Sequence, residues 1–356
     1  MASHRLSLTR RVAELRRSYT GETDSTLLST VTTGLRPLTV DDRVAIMDTL
    51  DGGFETRLLG ENSRLPLEAR IRRAVLADAT DSAQQELEAG ILFALGSIAP
   101  YQWPDTTVVA PMPACAMIRP LSDGTETVLH LRAASPPMIA TLLPRVVDGT
   151  VHGLAGLRVR MRRRHVQLHL ADSGSPGCVA LSSTDFRRWS GILGFARVVT
   201  GHEWPVPFDV PLTDPERVAI TAGRVPGPVP VASALLRRLR ILGTTVWLTV
   251  QPDGPTGIHV HWSGGRTAAQ VATALVHPLT GLPGNQFVVT READGTITVT
   301  LLGTDGAATA RIALYQAPLT TPPPFTRIDA KAAWAELNRV MALPHPLPAK
   351  PPALAG

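Results

Sequence analysis

Lysine is nearly missing from this chain of 356 residues: Lys331 and Lys350 are the only two among 35 basic residues. Its positive charge is therefore arginine, and a formal net charge of +5 confines any strongly basic surface to local patches. Codon bias in a GC-rich genome writes the same skew, together with abundant Ala, Val, Thr, Pro and Gly, so arginine richness by itself names no function. Cysteine is just as scarce. Cys115 and Cys178 exclude a disulfide framework and a cysteine metal quartet. Each sits in an apolar strand pattern without an obvious base beside it, so both read as small core residues in a reducing compartment.

Long hydrophobic runs are absent too. The longest weakly polar stretch, AGILFALGSIAP at 89–100, is far shorter than a membrane span, and the start, MASHRLSLTRRVAEL, has no apolar signal core. A cytoplasmic protein without a membrane partner is expected. The chain also lacks a Walker-type phosphate loop, a GxGxxG after a strand, a GxSxG elbow and an HExxH helix. No catalytic residue, cofactor or metal is assigned, and a non-catalytic role is expected.

What is present describes a globular protein. The apolar fraction is 44% and the charged fraction 18%, while 31 prolines imply many loops. The length calls for two or three cores. Residues 1–104 read as a helical N-terminal unit. Leu8, Val12, Leu15 and Tyr19 share one face of a first helix that Gly21 ends. Asp24 caps a second helix, and Thr39 with Asp42 resembles a capping box for a third. Pro66 suits the first residue of a fourth, and Asp81 caps a fifth with Leu87, Ile91 and Leu95 inward.

After residue 104 the period changes to two, and an approximate internal repeat emerges. IATLLP at 139–144 resembles VATALV at 271–276, and each follows a strand bearing histidine, VLHLRA at 128–133 and IHVHW at 258–262. Each of those strands follows another across an Asp-Gly turn, Asp123-Gly124 or Asp253-Gly254. Each copy then closes with three strands and a helix containing tryptophan, TDFRRWSGILGF or DAKAAWAELNRVMAL. The expected class is α+β: two similar ββαβββα modules, 105–200 and 231–343, related by a pseudo-twofold. A proline-rich connection spans 201–230, with a Thr213/Glu216 capping box, and a disordered tail spans 344–356. Tandem modules of this kind resemble, in outline only, those of sliding clamps and other pseudo-symmetric DNA-binding proteins.

One stretch carries the functional expectation. LRVRMRRRHVQLHL, residues 157–170, holds five arginines and two histidines with no acid. Folded as a hairpin, it turns Leu157, Val159 and Met161 with Val166, Leu168 and Leu170 to the core, and Arg158, Arg160 and Arg162 with Gln167 and His169 the other way. The corresponding strands of the second copy have threonines on that face, so the fold does not require the basic row. Nucleic acid is therefore the expected partner, with Arg158, Arg160, Arg162, Arg163, Arg164, Gln167 and His169 as the contacts. An acidic protein held by an adaptor or chaperone-like fold is the alternative, and an enzyme without a familiar motif is the third. The helical unit would supply a second contact or a homo-oligomer interface.

Other basic clusters have bland readings. Arg237, Arg238 and Arg240 fall in a last helical turn, where cations complement the helix dipole. Arg10, Arg11, Arg16 and Arg17, and Arg70, Arg72 and Arg73, line helices. His259 and His261 share a strand face at a spacing that suits two ligands of one ion, but only distant His130 and His277 offer a third.

Overall fold

The computed structural model describes residues 7–52, 65–97, 115–121, 124–133, 135–171, 177–202, 207, 209–321, 324 and 328–343. Asp123 and the tail 344–356 lie outside them. The first hundred residues form five helices: α1 (Leu8–Thr20), α2 (Asp24–Leu35), α3 (Val40–Asp51), α4 (Ala69–Val75) and α5 (Ser82–Gly96). Their ends follow local chemistry. Gly21 ends α1 with φ 71°, Thr39 and Asp42 make a reciprocal capping box on α3, and the Asp81 carboxylate accepts from the Gln84 amide before α5. Pro66 does not open α4. The Leu67 amide donates to the Pro278 carbonyl at 3.0 Å, so the chain there is tied to the second module and turns helical only at Ala69.

Helices α1 to α4 bury Val12, Leu27, Val31, Ile46, Ile71 and Val75 in a small second core, which Leu279 of the second module joins. Helix α5 does otherwise. Its Leu87, Ile91, Leu92 and Leu95 belong to the main core, together with both sheets.

The rest of the chain is an α+β body of two similar modules. The first contains β1 (Cys115–Pro120), β2 (Glu126–Leu131), α6 (Pro136–Leu142), a small hairpin of β3 (Arg145–Val147) and β4 (Thr150–His152), then β5 (Leu157–Met161), β6 (His165–Leu170), β7 (Cys178–Ser182) and α7 (Phe186–Thr200). A connecting helix α8 (Asp214–Ala222) follows. The second module has α9 (Val229–Arg238), a 3-10 turn at Leu239–Leu242, β8 (Thr245–Asp253), β9 (Gly257–Gly264), α10 (Ala268–Leu275), β10 (Gln286–Arg291), β11 (Ile297–Leu302), β12 (Ala308–Ala317) and α11 (Lys331–Ala342).

Both sheets have five strands in the same spatial order, β1-β2-β7-β6-β5 and β8-β9-β12-β11-β10. In each, one central pair is parallel, β2 with β7 and β9 with β12, and every other pair is antiparallel. The two matching segments, IATLLP and VATALV, fall on α6 and α10, the same place in each module. Helix α5 precedes the first sheet as α9 precedes the second, so each module begins with a helix of its own.

Equivalent elements meet in pairs, as a twofold relation requires. Helix α5 packs on α9, and α7 on α11, where Phe195 and Trp334 lie 4.7 Å apart between ring centroids. The leading helices also cross over: α5 packs on β8 and α9 on β1. Gly96 makes the first crossing close, since a Cβ there would sit 2.3 Å from the Val250 nitrogen. One hydrophobic core therefore runs through both modules.

A fully buried ion pair sits where α5 meets α9. Glu88 accepts from Arg237 twice, Nη2 at 2.7 Å and Nε at 2.8 Å, and from Gln84, Thr127 and Ser233 at 2.6 to 2.7 Å. Arg237 also donates to the carbonyls of Ala77 and Gly124. Gly124 has φ 79°, and a Cβ there would lie 2.5 Å from the Asp78 carbonyl, so glycine lets the β1–β2 turn come this close. Arg238 next to it binds Asp78 and the Thr280 carbonyl, and Arg16 joins Glu22 to the Val75 and Pro120 carbonyls. The arginines read from sequence as a helix-end charge pattern are, at 237 and 238, rivets between segments.

Breaking one side of such a pair strands the other charge in the core. Glu88→Gln is expected to cost about 3–5 kcal/mol in urea unfolding, and the double change Glu88→Leu/Arg237→Met to cost less than either single change. A loss below about 1 kcal/mol for Glu88→Gln would contradict this placement.

Candidate nucleic-acid interface

The arginine-rich stretch forms the expected hairpin. Leu157 faces Leu170, Val159 faces Leu168 and Met161 faces Val166 on the core side, while Arg158 faces His169 and Arg160 faces Gln167 on the other. Its corner needs no left-handed residue. The Arg162 amide donates to the His165 carbonyl at 2.9 Å, and no residue from Arg162 to His165 has a positive φ.

The hairpin does not present its arginines as one exposed row. Arg158 is 2% exposed, and all five of its N–H donors are used inside the protein. They go to the carbonyls of Leu157, Val210 and Pro211 and, as a two-point clamp at 2.9 and 3.0 Å, to Glu216. Arg158 therefore has no donor left for a phosphate, a correction to the expectation from alternation. The cover is the proline-rich connection, which also bridges the sheet edge between Pro207 and Val159. Glu216 does two jobs, closing the capping box on α8 and neutralising Arg158.

His169 is also covered, 7% exposed with Nδ1 3.2 Å from the Gly177 carbonyl. Burial, then the charges of Arg160 and Arg162, push its pKa down, so it is a neutral ring at physiological pH. Gln167 is half-buried and accepts from Arg162 Nε at 2.8 Å; Arg160 is half-buried on the same face. Arg162, Arg163 and Arg164 are exposed at the tip, and Arg163 and Arg164 pair with no described residue.

The sheet register shows what surrounds that tip. His165 lies beside Ser182 of β7, and Ser182 lies beside His130 of β2, so the tip stands at the carboxyl end of the parallel pair. His165 and His130 are thus about 10 Å apart across the sheet. Ser183, at φ 63°, places its hydroxyl 3.0 Å from His130 Nδ1. Helix α7 begins here, with Asp185 capping the Arg188 amide, and Arg188 holds the carbonyls of Leu131, Arg132 and Ser183. Phe186 is 52% exposed, and Arg187 beside it is exposed and pairs with no described residue. Across segments 129–133, 161–165 and 182–188 there are six arginines, two histidines and one acid, Asp185.

Sequence reasoning found the tip and missed its neighbours. The signal was present in FRRW soon after a strand, but only the antiparallel pairing of β6 with β7 brings it beside the hairpin tip. The other sequence candidates are scattered. His259 binds Asp253 at 3.0 Å, while His261 is wedged edge-on between Trp247 and Tyr315, each ring centroid 4.6 Å away. They do not converge on a common point, and among the described residues no three His, Cys, Asp or Glu form a metal-ligating group. Burial pushes both thiols, Cys115 and Cys178, up to about 12, as suits packing residues. No helix among the described residues is long and apolar enough to cross a membrane.

Compared with known proteins, the chain matches no family model, no curated protein and no solved structure.

The Arg158 clamp has a pH signature. Burial alone would raise the Glu216 carboxyl, but hydrogen bonds from Arg158, Thr213 and Gly156 and the Arg158 charge bring it down from 4.5 to about 2. Since folding lowers this pKa, the ionised group stabilises the fold above about pH 4.5, and that contribution fades as pH falls toward 2. Glu216→Gln is expected to unfold in urea with about 3 kcal/mol less stability than wild type at pH 7, a gap that narrows between pH 4.5 and 2. Asp42 and Glu336, also held near 2, are common to both proteins and cancel. A gap that stays constant with pH would contradict the clamp.

Proposed function

We propose that this protein is a non-catalytic, cytoplasmic nucleic-acid-binding protein that grips phosphates at the carboxyl end of β2 and β7. The contacts are Arg162, Arg163 and Arg164 at the hairpin tip and Arg187 at the start of α7, with His130 and His165 between them. The observation that carries this reading is the charge balance of that end: four exposed arginines, Arg162, Arg163, Arg164 and Arg187, beside one acid, Asp185, whose carboxylate is already committed to capping α7. Exposed guanidiniums at one end of a sheet, those of Arg163, Arg164 and Arg187 paired with no described residue, are suited to a phosphate backbone. The exposed ring of Phe186 among them adds a stacking surface, which favours single strands over duplex.

An acidic protein partner is the second reading, favoured by one feature. Among the described residues nothing pairs with the outer edge of β10, whereas its counterpart β5 is bridged by Pro207, and β10 carries Val288 at 43% exposure. An extended segment of another protein would fit such an edge.

Binding of labelled single-stranded and duplex DNA and RNA across a salt series separates the two. The nucleic-acid reading expects affinity to fall linearly on log–log axes with a slope of about −3, and Arg162→Ser/Arg163→Ser/Arg164→Ser to reduce that slope by about 2–3. No binding at low salt, or a triple variant that binds like wild type, would overturn it.

A further inference from the structure

A cleft of about 580 Å³ lies where the helical unit meets the second module. One wall is the chain entering α4 together with Arg72 and Arg73 of that helix, and the other is the loop before β10, Pro283 to Gln286. Asp78 to Thr80, between α4 and α5, complete the lining. Hydrogen bonds join the walls: the Leu67 amide donates to the Pro278 carbonyl at 3.0 Å, and the Arg72 guanidinium donates to the carbonyls of Gly281 at 2.7 Å, Leu282 and Gly284. With Leu279 in the core of α1 to α4, the opening is built into the fold, and its size is that of a small-molecule site.

The acids of the cleft are already matched. Glu68 pairs with Arg70 at 2.9 Å and Asp78 with Arg238 at 2.5 Å. Its arginines are not. Arg72, 8% exposed, is bound to backbone carbonyls and forms no ion pair with a described residue. Burial, then the charge of Arg238, draws its pKa down to about 10 against the pull of Asp78, which leaves it cationic at physiological pH. Arg73 is exposed and pairs with no described residue. Thr80, Asn285 and Gln286 are exposed as well, and their side chains make no hydrogen bond to a described residue. Leu65, 71% exposed, and Pro66, Leu67 and Pro283 give the cleft apolar surface beside these groups.

We propose that this cleft binds one nucleoside monophosphate, with Arg73 on the phosphate, Asn285 and Gln286 on the edge of the base, and the leucines and prolines against its faces. An unpaired guanidinium near a second, buried one selects an anion, and its fork matches phosphate oxygens. Each carboxamide offers a donor and an acceptor side by side, the pattern that a base edge presents in reverse. A flat ring also covers apolar surface that water otherwise wets. The site is built from other segments than the hairpin tip and does not rest on that reading. Its occupant is a free nucleotide or one nucleotide of a strand.

Calorimetric titration of the full chain with each of the four ribonucleoside 5′-monophosphates, at constant ionic strength, tests the proposal. Wild type should take up about one equivalent of at least one of them, with a Kd below about 1 mM. Arg73→Gln should weaken that binding at least about tenfold, and Asn285→Ala/Gln286→Ala at least about fivefold. The same nucleoside without its phosphate should bind at least about tenfold more weakly. All three changed residues are exposed, so urea unfolding of these variants should match wild type. Arg163→Ser/Arg164→Ser should bind the nucleotide as wild type does, which separates this site from the hairpin tip. An oligonucleotide that displaces the nucleotide from that tip variant identifies a strand as the source; no displacement identifies the free nucleotide. No saturable uptake below about 1 mM for any of the four, or uptake unchanged in both cleft variants, overturns the proposal. So does uptake lost only in the tip variant. A tetraglutamate peptide that binds where no nucleotide does overturns it in favour of an acidic protein.

Discussion

The Glu88–Arg237 pair is the constraint on which the architecture turns. An ion pair with no solvent exposure is tolerated only when nearly every lone pair and proton on it is matched, and here the matching groups come from α5, α9, β2, the segment before α5 and the β1–β2 turn. Satisfying it fixes α5 against α9. That contact sets one module against the other, lets each leading helix reach the opposite sheet, and merges two cores into one. The burial of apolar side chains supplies the stability, while the polar hub specifies the arrangement in which they are buried.

The same logic divides the arginines into two populations. Those at 16, 72, 158, 237 and 238 are inside, joined to carboxylates or to backbone carbonyls of distant segments, and they act as struts. Those at 162, 163, 164 and 187 are outside and gathered at one end of the first sheet. The gathering is a product of topology, because a parallel central pair places the ends of β2 and β7 together and the β5–β6 corner beside them.

Much of this was legible in the sequence where the governing physics is local. Capping chemistry at Thr39, Asp81 and Thr213, the alternation of residues 157–170, and the order of elements in the repeat all depend on neighbours a few residues away, and the structure shows each of them. What could not be read depends on contacts far along the chain. Alternation put Arg158 on the outer face correctly, but nothing nearby announces that Glu216, 58 residues on, will cover it. Arg237 sits in a last helical turn as a dipole argument expects, yet its partner is 149 residues away. Pro66 is drawn out of helix by a carbonyl in the second module, and α5 leaves the helical unit for the main core because α9 completes its packing. The basic end is assembled from three separate segments, so a search for charge runs finds only the one at 162–164.

The central claim is that this end of the first sheet, and not the hairpin face as a whole, holds the nucleic acid. Backbone hydrogen exchange of the full chain with and without a saturating single-stranded oligonucleotide tests it most directly. The account predicts added protection at residues 161–165 and 182–188, where backbone groups lie at the exposed end, and unchanged exchange at Arg158 and Glu216, which are buried against each other. Protection along α8 or over the second sheet with none at the tip would contradict it.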